Sequence, residues 1–330
     1  MSIHFRQTAV LTVLLFSVFS CEDTKAVPDR DFRQDMRDFV KVIHDEAVSE
    51  NPDFIVIPQN GQELLSLNGE SGGEPAADYM AVIHGVGRED LYYGYDEDDE
   101  ATPFGERSYM LDFLNLAEEY DIEVLTTDYC STPSKMDDSY QSNAQHGFIS
   151  FAADHRELDN IPTYPETPFN ENSADITTLG SARNFLYLLN PDGFNTKTTF
   201  LEALQATNYD MFIMDLYFQG NTALSADDIT SLKTKANGGQ RLVIAYMSIG
   251  EAEDYREYWD ADWSSNFPDW IHAENPDWEG NFKVFYWEPV WQAIIATGSD
   301  SYLSRIIQAG FDGVYLDIID AFEYFEDIRG

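Results

Sequence analysis

Eight short apolar runs, separated by stretches of helical spacing, predict an α/β chain folded as a (β/α)8 TIM barrel, a closed parallel eight-stranded barrel. Three of the runs finish on a carboxylate: 211–215 (MFIMD), 242–251 (LVIAYMSIGE) and 313–317 (GVYLD). They are rich in β-branched and aromatic residues and lack the alternation of a half-wetted strand, so they read as strands buried on both faces. A charge at the end of such a strand has no packing reason to be there, whereas the C-terminal rim of a barrel is where sites are built. No glycine-rich dinucleotide fingerprint follows any run, which disfavours an open doubly wound sheet.

From the start of the chain, Arg6 precedes an apolar stretch at 9–19 that is too short to span a bilayer as a helix. It ends in Val18-Phe19-Ser20-Cys21, which resembles the lipobox of bacterial lipoproteins. Residues 1–21 are therefore read as a lipoprotein signal peptide with Cys21 lipidated, and 22–30 as a tether. The protein is expected to be exported and lipid-anchored to a bacterial membrane, at the cell surface or in the periplasm. An ordinary secretory signal is the alternative, and it exports the chain equally. Residues 31–330 are read as one catalytic domain.

Phe32, Met36, Phe39, Val40, Ile43 and Ala47 recur at helical spacing, which predicts a helix over 29–50, stopped by Asn51-Pro52. Strands follow at 54–58 (FIVIP) and 79–83 (YMAVI), the second leading into His84-Gly85-Val86-Gly87-Arg88-Glu89-Asp90. A helix over 108–120 precedes a strand at 123–128 (EVLTTD), and after a polar stretch at 139–145 comes a strand at 147–152 (GFISFA). Pro162, Pro165 and Pro168 make 158–180 an irregular crossing. Strands at 184–189, 211–215, 242–248 and 313–317 alternate with helices over 199–207, 226–236 and 301–309. Trp259, Trp263, Trp270, Trp278, Trp287 and Trp291 all fall between Glu251 and the last strand. This Trp-rich insertion is expected over the barrel mouth, most of its indoles forming a core of their own. Trp287, beside Glu288-Pro289, is the first candidate to face a ligand.

The formal charge is −41, from 60 acidic and 19 basic residues. Such a surface repels phosphate backbones and anionic bilayers, so nucleic acid is excluded as a partner and membrane contact is left to the lipid anchor. Only Cys130 remains after Cys21 is modified, so the core must hold the fold, and Cys130 is read as a buried thiol. The six histidines show no paired ligand spacing. No metal and no cofactor is expected, and the acidic run 96–100 is read as a solvated loop rather than a calcium site. A monomer is expected.

The motifs Tyr246-Met-Ser-Ile-Gly-Glu-Ala-Glu-Asp-Tyr255, Glu274-Asn-Pro-Asp-Trp278, Tyr286-Trp-Glu-Pro289 and Gly310-Phe-Asp-Gly-Val-Tyr-Leu-Asp-Ile-Ile-Asp320 resemble those of glycoside hydrolases related to the endo-α-1,4-polygalactosaminidases. Ile57-Pro-Gln-Asn-Gly61 and Gly87-Arg-Glu-Asp-Leu-Tyr92 resemble further motifs of that family, as do Asp128-Tyr129 and residues 151–159. The resemblance covers nearly all of the chain beyond the tether and implies a secreted (β/α)8 barrel that hydrolyses a polysaccharide. The order departs from the family, in which the NFLYLL-type strand comes first and IPQNG and GREDLYY come last. Here 31–158 carries the second half, 159–181 joins, and 182–330 carries the first half. The chain thus looks circularly permuted, which a barrel tolerates because its ends lie close together.

Glycoside hydrolysis commonly uses two carboxyl groups, one protonating the departing oxygen and one acting as nucleophile or base. The resemblance places the family's catalytic aspartate at Asp317, the expected nucleophile or base. It places the glutamate at Glu89, the expected general acid, with Asp90 as the neighbouring alternative. Asp215 and Glu251 are expected to hold sugar hydroxyl or amino groups, and Asp320 either to join them or to cap the next turn. Tyr187, Tyr246, Gln59, Asn60, Tyr93 and Asp128 lie at or near strand ends and complete the expected lining. So many acids suit a cationic galactosamine-containing glycan. The competing expectation is a surface lipoprotein that binds glycans without cutting them.

Overall fold

Apolar runs become strands where both faces can be buried, and the computed structural model, which describes residues 25–329, shows eight of them in parallel arrangement. They are β1 (Ile55–Pro58), β2 (Gly85–Glu89), β3 (Glu123–Tyr129), β4 (Ile149–Ala153), β5 (Leu186–Leu188), β6 (Met211–Met214), β7 (Leu242–Ser248) and β8 (Gly313–Asp317). The expected signal at 1–21, the expected lipidation of Cys21 and the first residues of the expected tether, 22–24, lie outside the described residues. The rest of the expected tether is not free of the body: Lys25 Nζ donates to the Phe267 carbonyl at 3.4 Å, and Val27 packs on the core.

Five strands form a central parallel sheet in the order β1-β8-β7-β6-β5, with Tyr315 opposite both Ile57 and Tyr246. The other three form a second parallel sheet, β2-β3-β4. A parallel bridge between Gln59 and Gly87 links the two, with the His84 amide donating to the Val56 carbonyl at 2.9 Å and the Asn60 amide to that of Gly87 at 2.8 Å. On the far side, Phe151 of β4 meets Phe185, just before β5, with ring centroids 5.8 Å apart. Every residue of β1, β4, β5, β6 and β7 is buried, as continuous apolar runs require.

Two expectations fail here. Residues 79–83 are not a strand: Ala77–Met80 is one helical turn, and the strand is Gly85–Glu89. The misreading follows from Gly85 and Gly87, which give the real strand no apolar side chains for a periodicity to find. A methyl on Gly87 would lie 1.9 Å from the Tyr315 hydroxyl, so that side chain fills the space glycine leaves. Likewise, the polar stretch 139–145 belongs to a helix, Pro133–His146, whose buried face is Met136, Ser139, Tyr140 and Asn143. Half of that face is polar because it serves Asp128 of β3, which takes up the Ser139 hydroxyl at 2.6 Å and the Asn143 amide at 3.0 Å.

The remaining helices sit close to expectation: Phe32–Glu50, Phe104–Glu119, Lys197–Gln205, Ala226–Leu232 and Tyr302–Ala309. A further one, Ala321–Asp327, follows β8 and lies beside the first, joined to it by Arg33–Glu326 at 2.9 Å, while Asp29 and Arg329 pair at 2.7 Å. The insertion forms its own antiparallel sheet from Glu251–Glu253, Asn281–Val284 and Ile271–Glu274. Its tryptophans pack on one another: Trp263 stands edge-on to Trp270 at 4.9 Å, and Trp270 stacks on Trp291 at 5.0 Å. Trp287 is also core, 8% exposed among Phe32, Phe285 and Phe325, which corrects the expectation that it faces a ligand. Trp278 is the exposed one.

Candidate active site

At the C-terminal ends of β8 and β2 the backbone does something unusual. The residue after Asp317, Ile318, has φ 56°, and the residue after Glu89, Asp90, has φ 59°. A left-handed turn costs a residue other than glycine about 1–2 kcal/mol, and a β-branched isoleucine most. Such strain persists where the surroundings over-determine it. The Ile318 carbonyl presses on Gly250, where a methyl would come within 2.2 Å. In return the turn aims the Ile318 amide at its neighbour, donating to Asp317 Oδ1 at 2.8 Å. Tyr246 of β7 holds the other oxygen, its hydroxyl donating to Oδ2 at 2.6 Å.

Glu89 is held more firmly. The Gln59 amide donates to its Oε2 at 2.5 Å and the Asn60 amide to the same atom at 3.1 Å, while the Tyr129 hydroxyl donates to Oε1. Asn60 and Gly61 are both left-handed, and that turn at the end of β1 carries the Asn60 side chain back to Glu89. Gln59 is fixed in its turn by the Tyr187 hydroxyl, 2.9 Å from Oε1. Side chains from the turn after β1 and from β3 thus converge on the β2 carboxylate, with Tyr187 of β5 behind Gln59.

The two acids stand on strands separated only by β1, so their backbones are about 10 Å apart at the usual strand spacing. They are close enough to couple. Burial pushes the Asp317 carboxyl up to about 7, and the Glu89 charge is the second cause. Asp320 is pushed up to about 6, again by burial first. It makes no side-chain cap on the helix that follows, so it stays available to the site. A cleft of about 310 Å³ opens beside Glu89, with Asn60 and Asp320 on its wall.

Several expected lining residues are instead engaged by the protein. Asp215 accepts from the Tyr217 amide at 2.7 Å and pairs with Arg256, which also binds Glu253. Glu251 is 2% exposed, its Oε1 taken by Asn275 at 2.8 Å and Lys283 at 2.9 Å. Asp128 is fully buried and ties the Tyr92 and Tyr93 amides to the helix beside it, and Tyr93 donates its hydroxyl to Asp138 at 2.8 Å. Asp90, the alternative to Glu89, is paired with Arg156 at 2.9 Å. Strand alternation explains the position of Asp128: it and Tyr129 are consecutive, so only one can face inward, and it is Tyr129. Tyr129 and Arg156, whose guanidinium lies 3.9 Å over the Tyr129 ring, are the residues the sequence reading missed. Alternation could have found Tyr129; nothing local marks Arg156.

Asp99, in the acidic run 96–100, accepts from the Thr132 hydroxyl at 2.6 Å and from the Ser131 and Thr132 amides just before the helix Pro133–His146, and against the opposing effect of burial these bonds, with Lys135, hold its carboxyl down at about 2. Cys130 is buried, and burial pushes its thiol up. Among the described residues no three metal-ligating side chains cluster, and no helix is long and apolar enough to cross a membrane.

Residues 166–329 match the model of Glycoside-hydrolase family GH114, which supports a glycoside hydrolase in general terms. An uncharacterised protein of Methanocaldococcus jannaschii is 40% identical over 183 residues, 54% of this chain and 49% of the relative. One from Deinococcus radiodurans is 39% identical over 132 residues, 40% of each chain. One from Thermotoga maritima is 50% identical over 82 residues, 25% of this chain and 24% of its own. The chain therefore spans about half, or less, of the length of these curated relatives.

Proposed function

We propose that the chain is an exported glycoside hydrolase that cuts a polysaccharide with the carboxyl pair Glu89 and Asp317. The observation that carries this reading is the coupling of two strand-end carboxylates on one rim, each held by named donors. A two-carboxylate mechanism needs one group protonated while the other is ionised. An Asp317 carboxyl raised to about 7 by burial and by the Glu89 charge keeps one proton on the pair near neutral pH. The match of residues 166–329, which include Asp317 but not Glu89, to a glycoside-hydrolase family supports glycoside hydrolysis in general terms.

Burial raises the Asp317 carboxyl, whereas the family resemblance makes Glu89 the acid. Amide variants separate the two roles. Glu89→Gln should cut a polymer at least about 100-fold more slowly but retain much of its rate on an aryl glycoside whose leaving group needs no proton. Asp317→Asn should lose both. The opposite pattern would exchange the roles, and cleavage unaffected by either change would remove the pair from the chemistry.

The architecture proposed is a closed, circularly permuted (β/α)8 barrel. The Gln59–Gly87 bridge and the Phe151–Phe185 contact bring the two parallel sheets together at both edges, and the pairs Arg33–Glu326 and Asp29–Arg329 supply the proximity a permutation requires. The acidic surroundings of the pair favour an ammonium-bearing polymer such as partly deacetylated polygalactosamine over a neutral galactan, and incubation with both polymers tests that preference. Anchoring through Cys21 is proposed on the sequence of the signal alone, and labelling with a radioactive fatty acid would show it.

A further inference from the structure

The cleft beside Glu89 does not lie over Asp317. It runs outward from the rim between the loop after β1, the helix Phe104–Glu119 and the helix Ala321–Asp327, and Glu63, Tyr95, Tyr109 and Glu323 line it. Two of its lining residues are tyrosines on an otherwise mostly polar surface, Tyr95 43% and Tyr109 48% exposed. Neither ring is left to swing. The Tyr109 hydroxyl donates to Glu63 Oε1 at 2.6 Å, and the ring stands edge-on to Phe113 at 5.3 Å. The Tyr95 hydroxyl donates to Glu106 Oε2 at 3.3 Å. A fixed, solvent-facing ring presents an apolar face at little entropic cost, and the C–H face of a pyranose matches it, while the second oxygens of Glu63 and Glu106 can accept hydroxyl or amino protons.

The cleft has one cation, Arg88, whose guanidinium donates to Gln62 Oε1 at 3.2 Å while its Nε is buried without a partner. Its position is asymmetric: Glu89 is on the wall and Asp317 is not. In a two-carboxylate hydrolysis the acid stands beside the departing oxygen and the nucleophile or base stands on the other side of the anomeric carbon. A channel leading away from the acid therefore leads toward the departing sugar.

We propose that this cleft is the binding site for the leaving-group half of the glycan, with Tyr109 and Tyr95 as its stacking walls. The inference rests on the glycosidase reading above, with Glu89 as acid. The bond broken is the one between the anomeric carbon and the oxygen of the sugar lying in the cleft. That oxygen takes the Glu89 proton, and water supplies the hydroxyl and the proton that restore both partners. Tyr95 and Tyr109 act by holding the departing sugar and touch no reacting atom.

Two substrates test the assignment with the full-length protein: partly deacetylated polygalactosamine, whose departing half fills the cleft, and a nitrophenyl glycoside of a galactosamine oligomer, whose departing half does not. Tyr109→Ala and Tyr95→Ala should each lower kcat/KM on the polymer by about tenfold and change the nitrophenyl rate by less than about twofold. Tyr109→Phe, which keeps the ring but not its hydroxyl's bond to Glu63, should lose less on the polymer than Tyr109→Ala. Equal losses on the two substrates, or no loss on the polymer, would overturn the cleft assignment while leaving the glycosidase reading intact. Failure of the unaltered protein to cut either substrate would overturn both.

Discussion

Asp317, the proposed nucleophile or base, costs the fold stability. Its carboxyl moves from 3.8 to about 7 on folding. Between those values the folded state binds more protons than the unfolded one, so this group's contribution to stability is greatest in acid and declines as pH rises through 7. Asp317→Asn carries no such penalty. The variant should be more stable than wild type at pH 8, by on the order of 1–3 kcal/mol, with the advantage shrinking toward pH 4. Thermal melts of both proteins across that range check it, and a gap independent of pH would show that Asp317 is not titrating in the window. Asp320 and Glu323, raised by burial to about 6 and about 7, steepen the wild-type decline in the same direction.

At the scale of the element, the least conspicuous strand matters most. β2 carries Glu89, yet its sequence, GVGRE, offers one apolar side chain. What fixes it is the exchange across the sheets between Gly87 and Tyr315. A methyl on Gly87 would fall 1.9 Å from the Tyr315 hydroxyl and 2.5 Å from its ring carbon, in a region with no room to yield. Gly87→Ala should therefore destabilise the fold by about 1–3 kcal/mol, and adding Tyr315→Phe should not restore it, because the ring carbon still clashes. Gly72, with nothing within 4 Å, is the control, and a Gly87→Ala protein that melts with wild type would discount the contact. The same exchange explains why β2 was misplaced. Its core side chain is donated by another strand 228 positions away, and no periodicity within 79–90 can register that. The helix Pro133–His146 hid for a related reason, since its inner face is polar to match a buried aspartate on β3.

For the whole molecule the dominant feature is a net charge of −41. The acids bring like charges together, as the cleft shows, and self-repulsion weakens the compact state. Raising NaCl from about 20 mM to about 500 mM shortens the screening length several-fold and should raise Tm by a few degrees. A Tm that falls with salt would indicate that surface ion pairs such as Arg156–Asp98 outweigh the repulsion. The charge also bears on the substrate, because the same salt series should weaken binding of a cationic glycan and leave a neutral one nearly unchanged.

The amino-acid sequence alone determined the α/β class, five of the helices and the placement of seven strands, because burial on both faces writes itself into local composition as runs of apolar residues. It also marked Glu89 and Asp317 through motifs at strand ends, and Gln59, Asn60 and Tyr246 as lining, whereas the structure shows these last three donating to the two carboxylates. Only the tertiary structure decided which strand-end acids stay open to a ligand. Asp215 is drawn to Arg256, Glu251 to Lys283 and Asp128 to a neighbouring helix, each by a partner distant in the chain or by the inward or outward turn of one residue. Charge pairing and side-chain direction are settled by neighbours in space, which a local pattern does not contain.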